Sequence, residues 1–256
     1  MYYREIFTLS KKIVLIYNDN RGLKMAIYTF KRWELKYRLS RKQYYNILPF
    51  IKNYLSLDKY GLTTIQSLYF DTENDLLIRR SIEKPYYKEK IRLRSYGLSN
   101  NEKLPFLEIK KKFEKVVYKR RIKIKEDDCL NWIQTKQFNA TSQIEKELQY
   151  FINFYKTLKP RMLLIYDREA YTTSESDLRI TFDSNMRYRD YDLRLDKGFY
   201  GKPLLEDDTI IMEIKSSTAF PLWLVKKLSE EKIYKSSFSK YGTAYKNTKQ
   251  KESINV

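Results

Sequence analysis

Along "KEKIRLRSYG", Lys88 to Gly97, apolar and cationic residues alternate: Lys90, Arg92 and Arg94 share one parity, Ile91 and Leu93 the other. Alternate side chains of a strand point to opposite faces, so this stretch predicts a strand with an apolar face and a row of cations. The habit recurs. "WELK" places Glu34 with Lys36, "FLEIKKKF" Glu108 with Lys110 and Lys112, "VVYKRRIK" Lys119 with Arg121 and Lys123, and "IIMEIKSS" Glu213 with Lys215. "RMLLIYDREAY" carries Arg168, and "LRITFD" carries Arg179 with Asp183; "TTIQSLYFDT" and "MRYRDYDL" read as further strands. Helical spacing appears in four places. One helix follows Ser40 as N-cap and is interrupted or ended near Pro49; another, in "DTENDLLIRRSIEK", is capped by Asp71 or Thr72. Ser142 and Glu145 form a capping box ahead of "ELQYFINFYKTL", and Pro221 opens "FPLWLVKKLSEEKIY". A short amphipathic pattern, "EDDCLNWI", makes Cys129 a small buried hydrophobe.

Roughly eight strands with helices inserted between them predict an α+β fold, a largely antiparallel sheet or closed barrel with helices on the outside. If the apolar faces pack outward on those helices, the charged faces point inward. A dry interior full of cations is prohibitively costly, so such an interior must hold water, carboxylates and an anionic ligand. For any one strand a solvated outer face is the simpler reading. Six strands with the same habit argue against it. Residues 1–24 show little pattern beyond one short apolar run and a turn-like "NDNRG", and are expected to be a leader outside the native domain. Alternation becomes clear from Met25, where Tyr28, Phe30, Arg32, Glu34 and Lys36 share a parity. One domain is expected over 25–245, followed by a polar, disordered tail over 246–256.

Composition sharpens this reading. Fifty-one Lys and Arg against thirty-two Asp and Glu leave a formal charge of +19, a field that attracts polyanions: nucleic acid, anionic membrane, nucleotides or phosphate chains. The chain has no histidine, which excludes a phosphohistidine intermediate, a histidine general base and a His-ligated metal. A single cysteine excludes an intramolecular disulfide and a zinc–thiolate cluster. "IVLIY" is too short to span a bilayer or to form a signal-peptide core, so a cytoplasmic location is the expectation. The tyrosines could suggest base stacking on RNA, but most fall at apolar-face positions and no Gly-rich aromatic strand accompanies them; nucleic acid is not the expected partner. The E-x-K pairs at Glu108 and Glu213 instead set a metal-binding oxygen beside a phosphate-binding ammonium, the mixture that triphosphate chemistry needs.

Taken together and in order, "FKRWELKYRLS", "SLYFDT", "RRSIEKPYYKEKIRLRSYG", "FLEIKKK", "VVYKRR", "YDREAY", "DLRITFD", "RYRDYDL", "MEIK" and "SFSKYGTAY" resemble the VTC domain, the polyphosphate polymerase branch of the CYTH-like triphosphate tunnel metalloenzymes. The resemblance runs from about Phe30 to Tyr245. It implies an eight-stranded antiparallel tunnel barrel that takes ATP and transfers its γ-phosphate to a growing polyphosphate chain, with Mn²⁺ or Mg²⁺. The family's phosphate contacts fall here on Lys36, Arg92, Arg94, Lys110, Tyr166, Arg168, Arg179, Lys215, Ser239 and Lys240, with Arg92, Arg94, Arg168 and Lys215 doing the catalytic work. Its metal carboxylate falls on Glu213. Lys119 and Arg121 share a tunnel-lining strand, and either could reach the phosphates. Arg32 stands where the wider superfamily carries the first glutamate of an E-x-E-x-K, which speaks against a two-metal hydrolase. The resemblance also admits a membrane-protein partner, with the chain peripheral to a membrane. The alternatives are a hydrolase of the same fold, acting on inorganic triphosphate or nucleotides, and a non-enzymatic polyanion-binding module. Product separates them: polymer, orthophosphate or pyrophosphate, or none.

Overall fold

In the computed structural model side chains are described from Trp33 to Gln250, apart from residues 84, 100–102, 115 and 206–207; backbone elements are also described within 7–30 and to Ile254. Three strands, β1 (Phe7–Leu9), β2 (Lys12–Asp19) and β3 (Gly22–Phe30), form an antiparallel sheet of their own. Met25, where the alternation was expected to begin, thus lies inside a strand that starts at Gly22, and β1 and β2 fall in the stretch the sequence pattern left unassigned. Arg32 lies outside the described residues.

The rest of the chain supplies β4 (Trp33–Leu39), α1 (Arg41–Lys52), β5 (Ser56–Leu57), β6 (Thr63–Asp71), α2 (Leu76–Ile82), β7 (Tyr87–Tyr96), β8 (Phe106–Phe113) and β9 (Val116–Lys123). There follow α3 (Glu126–Thr135), α4 (Gln143–Phe154), β10 (Lys159–Thr172), β11 (Arg179–Arg189), β12 (Lys202–Pro203), β13 (Ile210–Ser216), α5 (Leu222–Glu230), β14 (Lys235–Ser236) and α6 (Lys240–Ile254). Ser40–Gln43 and Ser142–Glu145 both close capping boxes. Pro49 neither interrupts nor ends α1, which runs through it to Lys52. Asp71 and Thr72 do cap α2, although Asp75 is its formal N-cap. The Asp71 carboxylate accepts from the Leu77 and Ile78 amides, and the Thr72 hydroxyl from that of Leu76.

The strands from β4 onward form one 11-stranded sheet, with the order β14-β4-β13-β11-β10-β6-β7-β8-β9, while β12 and β5 pair beside β11 and β10. Every registered pair is antiparallel. The sheet does not close, which corrects the eight-stranded barrel. The edge of β4 that a closing β9 would need is taken by β14, through Lys235↔Tyr37 and Ser236↔Lys36. β9 is exposed along nearly its whole length and offers Lys119, Arg120, Arg121 and Lys123, charges that oppose edge pairing. "LRITFD" and "MRYRDYDL" also merge into the single strand β11, bent at Asn185, whose φ is 48°.

The convex face is packed as the alternation predicts. Leu68, Ile91, Leu93, Leu107 and Ile109 bury against Trp132, Leu148, Phe151 and Ile152 of α3 and α4, with Cys129 fully buried among them. Tyr37, Ile180, Phe182, Met212 and Ile214 bury against Ile47 and Ile51 of α1 and Leu224 and Leu228 of α5. Part of the concave face is apolar too. Met162, Leu164, Ile211, Tyr69 and Tyr166 are covered by Tyr241 and Ala244 of α6 and Ile78 of α2. The tail expected to be disordered instead extends this helix to Ile254, and Asn247 donates to the Leu204 carbonyl 3.2 Å away.

Candidate functional site

Register brings the charged positions together. Arg92 sits opposite Glu108, Lys90 opposite Lys110, Glu108 opposite Arg121, Lys110 opposite Lys119, Glu213 opposite Lys36 and Lys215 opposite Glu34. Paired residues share a face, so these rows all line the concave side. The sheet curls enough that Lys110 of β8 feels Glu34 and Lys215 from the far side of the trough.

Each cation is held differently. Arg92 is forked onto Glu108, with Nε 2.9 Å and Nη2 2.8 Å from Oε2, while its Nη1 donates to the Tyr69 hydroxyl at 2.9 Å. Arg94 donates to the Ser67 and Tyr166 hydroxyls, each at 3.2 Å. Arg168 lies bidentate on Asp183 at 2.5 and 2.7 Å, and Lys240 reaches the same carboxylate at 2.5 Å. Lys240 and the Arg168 guanidinium both stand over the Tyr166 ring, at 4.6 and 5.2 Å. Ser239 points elsewhere: its hydroxyl accepts the Gly242 amide and caps α6, so here it aims Lys240. Lys36 fastens this segment to the sheet by donating to the Phe238 carbonyl at 3.2 Å. Arg179 shares the concave parity but is drawn to the rim by Asp58, 2.9 Å away, outside the cluster. On β9, Lys119 reaches Glu108 at 2.6 Å, whereas Arg121 stacks on Phe106 at 4.7 Å.

Glu213 is unlike the other carboxylates. Lys36, Lys215, Arg168 and Lys240 surround it at 3.3, 3.4, 3.9 and 4.0 Å, so none makes the short charge-assisted contact that Glu108 and Asp183 receive. Burial works to protonate it, but the four cations outweigh burial and hold its pKa well below the ordinary range. An ionised carboxylate held only by loose lysine contacts suits a hard divalent cation that takes its other ligands from phosphate. Among the described residues no cluster of three or more Asp, Glu, His or Cys could hold such an ion by protein alone.

Lys90 and Lys110 make no ion pair among the described residues. Both remain open to water along the trough yet are walled in by protein. Burial, with neighbouring cations, lowers both pKa values, that of Lys90 to about 8. Glu108 is shifted oppositely. Burial raises it, but Arg92, Arg94 and Lys119 prevail and bring it down to about 2 from 4.5. A carboxylate depressed on folding stabilises the protein above its unfolded pKa, and that stability is lost as pH falls toward the folded value. Glu108→Gln should therefore flatten the melting-temperature loss between about pH 4.5 and about pH 2; an unchanged acid limb would contradict these ion pairs.

Sequence pattern placed Asp183 and Lys90 on this face without assigning them roles; it read Glu108 as a metal-binding oxygen, but Arg92 and Lys119 occupy that carboxylate, and of the two β9 candidates Lys119 is the one on Glu108. The pattern missed Tyr69 and Ser67, which sit opposite Arg92 and Arg94. The signal was present in "QSLYFD", where Ser67 and Tyr69 alternate with Leu68 and Phe70.

A curled antiparallel sheet with helices on its convex side and a cationic concave side defines the class: tunnel-fold proteins. The VTC domain matches residues 31–249, and the chain belongs to that family. Among solved structures it resembles a candidate adenylate cyclase from Bacillus halodurans, with TM-score 0.52 and 11% identity over 82% of this chain and 95% of that one. A second candidate adenylate cyclase, from Vibrio parahaemolyticus, gives TM-score 0.46 and 11% identity over 85% and 99%. The first likeness shows the fold. No curated protein is matched. No helix among the described residues is long and apolar enough to cross a membrane.

Proposed function

We propose that this protein is an ATP-dependent polyphosphate polymerase, transferring the γ-phosphate of ATP to the end of a polyphosphate chain held in the trough. The observation that carries the reading is the surplus of cations on the concave face, above all Lys90 and Lys110, which make no ion pair among the described residues and stand beside arginines already fixed in orientation. Membership of the VTC family supports the same substrate class.

A polyphosphate end is ionised at neutral pH and needs no general base to attack, which suits a chain without histidine. Alignment and charge neutralisation then dominate phosphoryl transfer. Arg92 and Arg94, tethered by Glu108, Tyr69, Ser67 and Tyr166, keep donors free for non-bridging oxygens; Arg168, Lys36, Lys215 and Lys240 converge from the opposite wall. Lys110 and Lys119 extend the cationic track, and Arg179 marks its rim. Glu213 would hold Mn²⁺ or Mg²⁺, which would supply Lewis-acid neutralisation of the phosphate charge.

Lys90→Met separates binding from stability. It removes a walled-in cation that makes no ion pair among the described residues and whose pKa burial lowers, so the empty variant should melt higher than the parent while binding tripolyphosphate about tenfold more weakly or worse. Equal affinity would contradict the anion trough. Nucleotide fate tests the reaction class: with Mn²⁺, ATP should yield ADP. Accumulation of a cyclic nucleotide would sink the phosphotransferase reading.

A further inference from the structure

Tyr69 is a phenol of the trough that sits directly among the cations of β7. It is 8% exposed, and its ring lies nearly flat against Tyr241 at 4.5 Å. Its oxygen accepts from Arg92 Nη1 at 2.9 Å, and among the described residues nothing accepts the phenol's own hydrogen. A buried hydroxyl without an acceptor is costly. We propose that Tyr69 is a phosphate ligand of the trough: it donates its hydrogen to a phosphate oxygen gripped by Arg92, and in the empty protein it stands as the phenolate counter-ion of that arginine. The inference rests on the polyphosphate reading and adds a binding residue to it.

The surroundings favour this on every side. β7 presents Lys90, Arg92 and Arg94, and β4 presents Lys36 across the trough. β8 presents Glu108, which is already occupied by Arg92 and Lys119. β10 presents the Tyr166 hydroxyl, occupied by Arg94, and α6 presents Tyr241, whose hydroxyl donates away to Asp71 at 2.9 Å. Burial alone would raise the Tyr69 pKa, but Arg92, Lys90 and Arg94 outweigh it and bring it down to about 7. An entering phosphate chain cancels that cationic field. The phenolate then takes one proton from solvent, its O–H forms, and the new hydrogen points at the phosphate that Arg92 holds.

The test is the near-ultraviolet tyrosinate band at about pH 8, where a phenol one unit above its pKa is roughly nine-tenths ionised. Parent minus Tyr69→Phe should show about one tyrosinate. Tripolyphosphate should abolish it, with uptake of about one proton that Tyr69→Phe lacks. Tyr69→Phe keeps the ring on Tyr241, so it should fold, and should bind tripolyphosphate about tenfold more weakly. No band in the difference spectrum would overturn the proposal, as would a band that persists while calorimetry shows tripolyphosphate bound. If the parent shows the band but binds no tripolyphosphate, the phosphate reading of the trough falls, and the ligand role with it.

Discussion

Asp183→Asn is expected to cost the empty protein about 3–5 kcal/mol, the usual penalty for breaking a buried ion pair from one side. Asp183 is fully buried and carries both Arg168 and Lys240. Burial alone would raise its pKa, but Lys240 and Arg168 prevail and lower it. The amide keeps the shape but leaves two cations facing each other, and a guanidinium cannot shed its charge to escape. Saturating tripolyphosphate should restore much of the lost stability, because the ligand supplies negative charge to the same cations. Denaturant titrations with and without tripolyphosphate measure both quantities. A loss below about 1 kcal/mol would show the cluster to be well hydrated, worth no more than a surface pair.

Glu213→Gln should abolish turnover, and it should also cost the empty protein stability, because a carboxylate whose pKa four cations hold down contributes to the fold. Lys36 and Lys215 stand 3.3 and 3.4 Å from it, with Arg168 and Lys240 beyond, and the amide leaves these four cations to repel one another until a phosphate chain enters. The amide lacks the charge that would hold a divalent ion, and turnover should fall by more than the roughly 10–100-fold seen when an outer-shell partner of a metal ligand is lost. Tripolyphosphate binding should survive far better, since arginines and lysines do most of the holding. Turnover near the parent's would place the metal elsewhere.

Period-two alternation made the site legible, because one face buried on helices forces the other face inward whatever the neighbouring strands do. The match of Arg92 with Glu108, or Lys36 with Glu213, was not legible, since register depends on turns and on which strands become neighbours. Barrel closure was misjudged for a similar reason. Nothing in "YKSSFSK" marks Lys235 and Ser236 as a two-residue strand on the edge of β4, yet that pair helps keep the sheet open. Ser239 could be placed by motif but not oriented; its hydroxyl turns to the α6 amides, which only the backbone path reveals. The end of the chain failed differently. A polar segment reads as disordered because it has no apolar stripe of its own, but α6 starts in the core at Tyr241 and Ala244, and its later turns extend an anchored helix.

The decisive measurement is the fate of γ-labelled ATP with Mn²⁺, the products resolved by size. Polymerisation in the trough predicts ADP released in step with label entering chains that lengthen with time, and loss of both in Glu213→Gln. Label appearing as orthophosphate from the first turnover, with no chain at any ATP concentration, would contradict it and make this protein a hydrolase of the same fold.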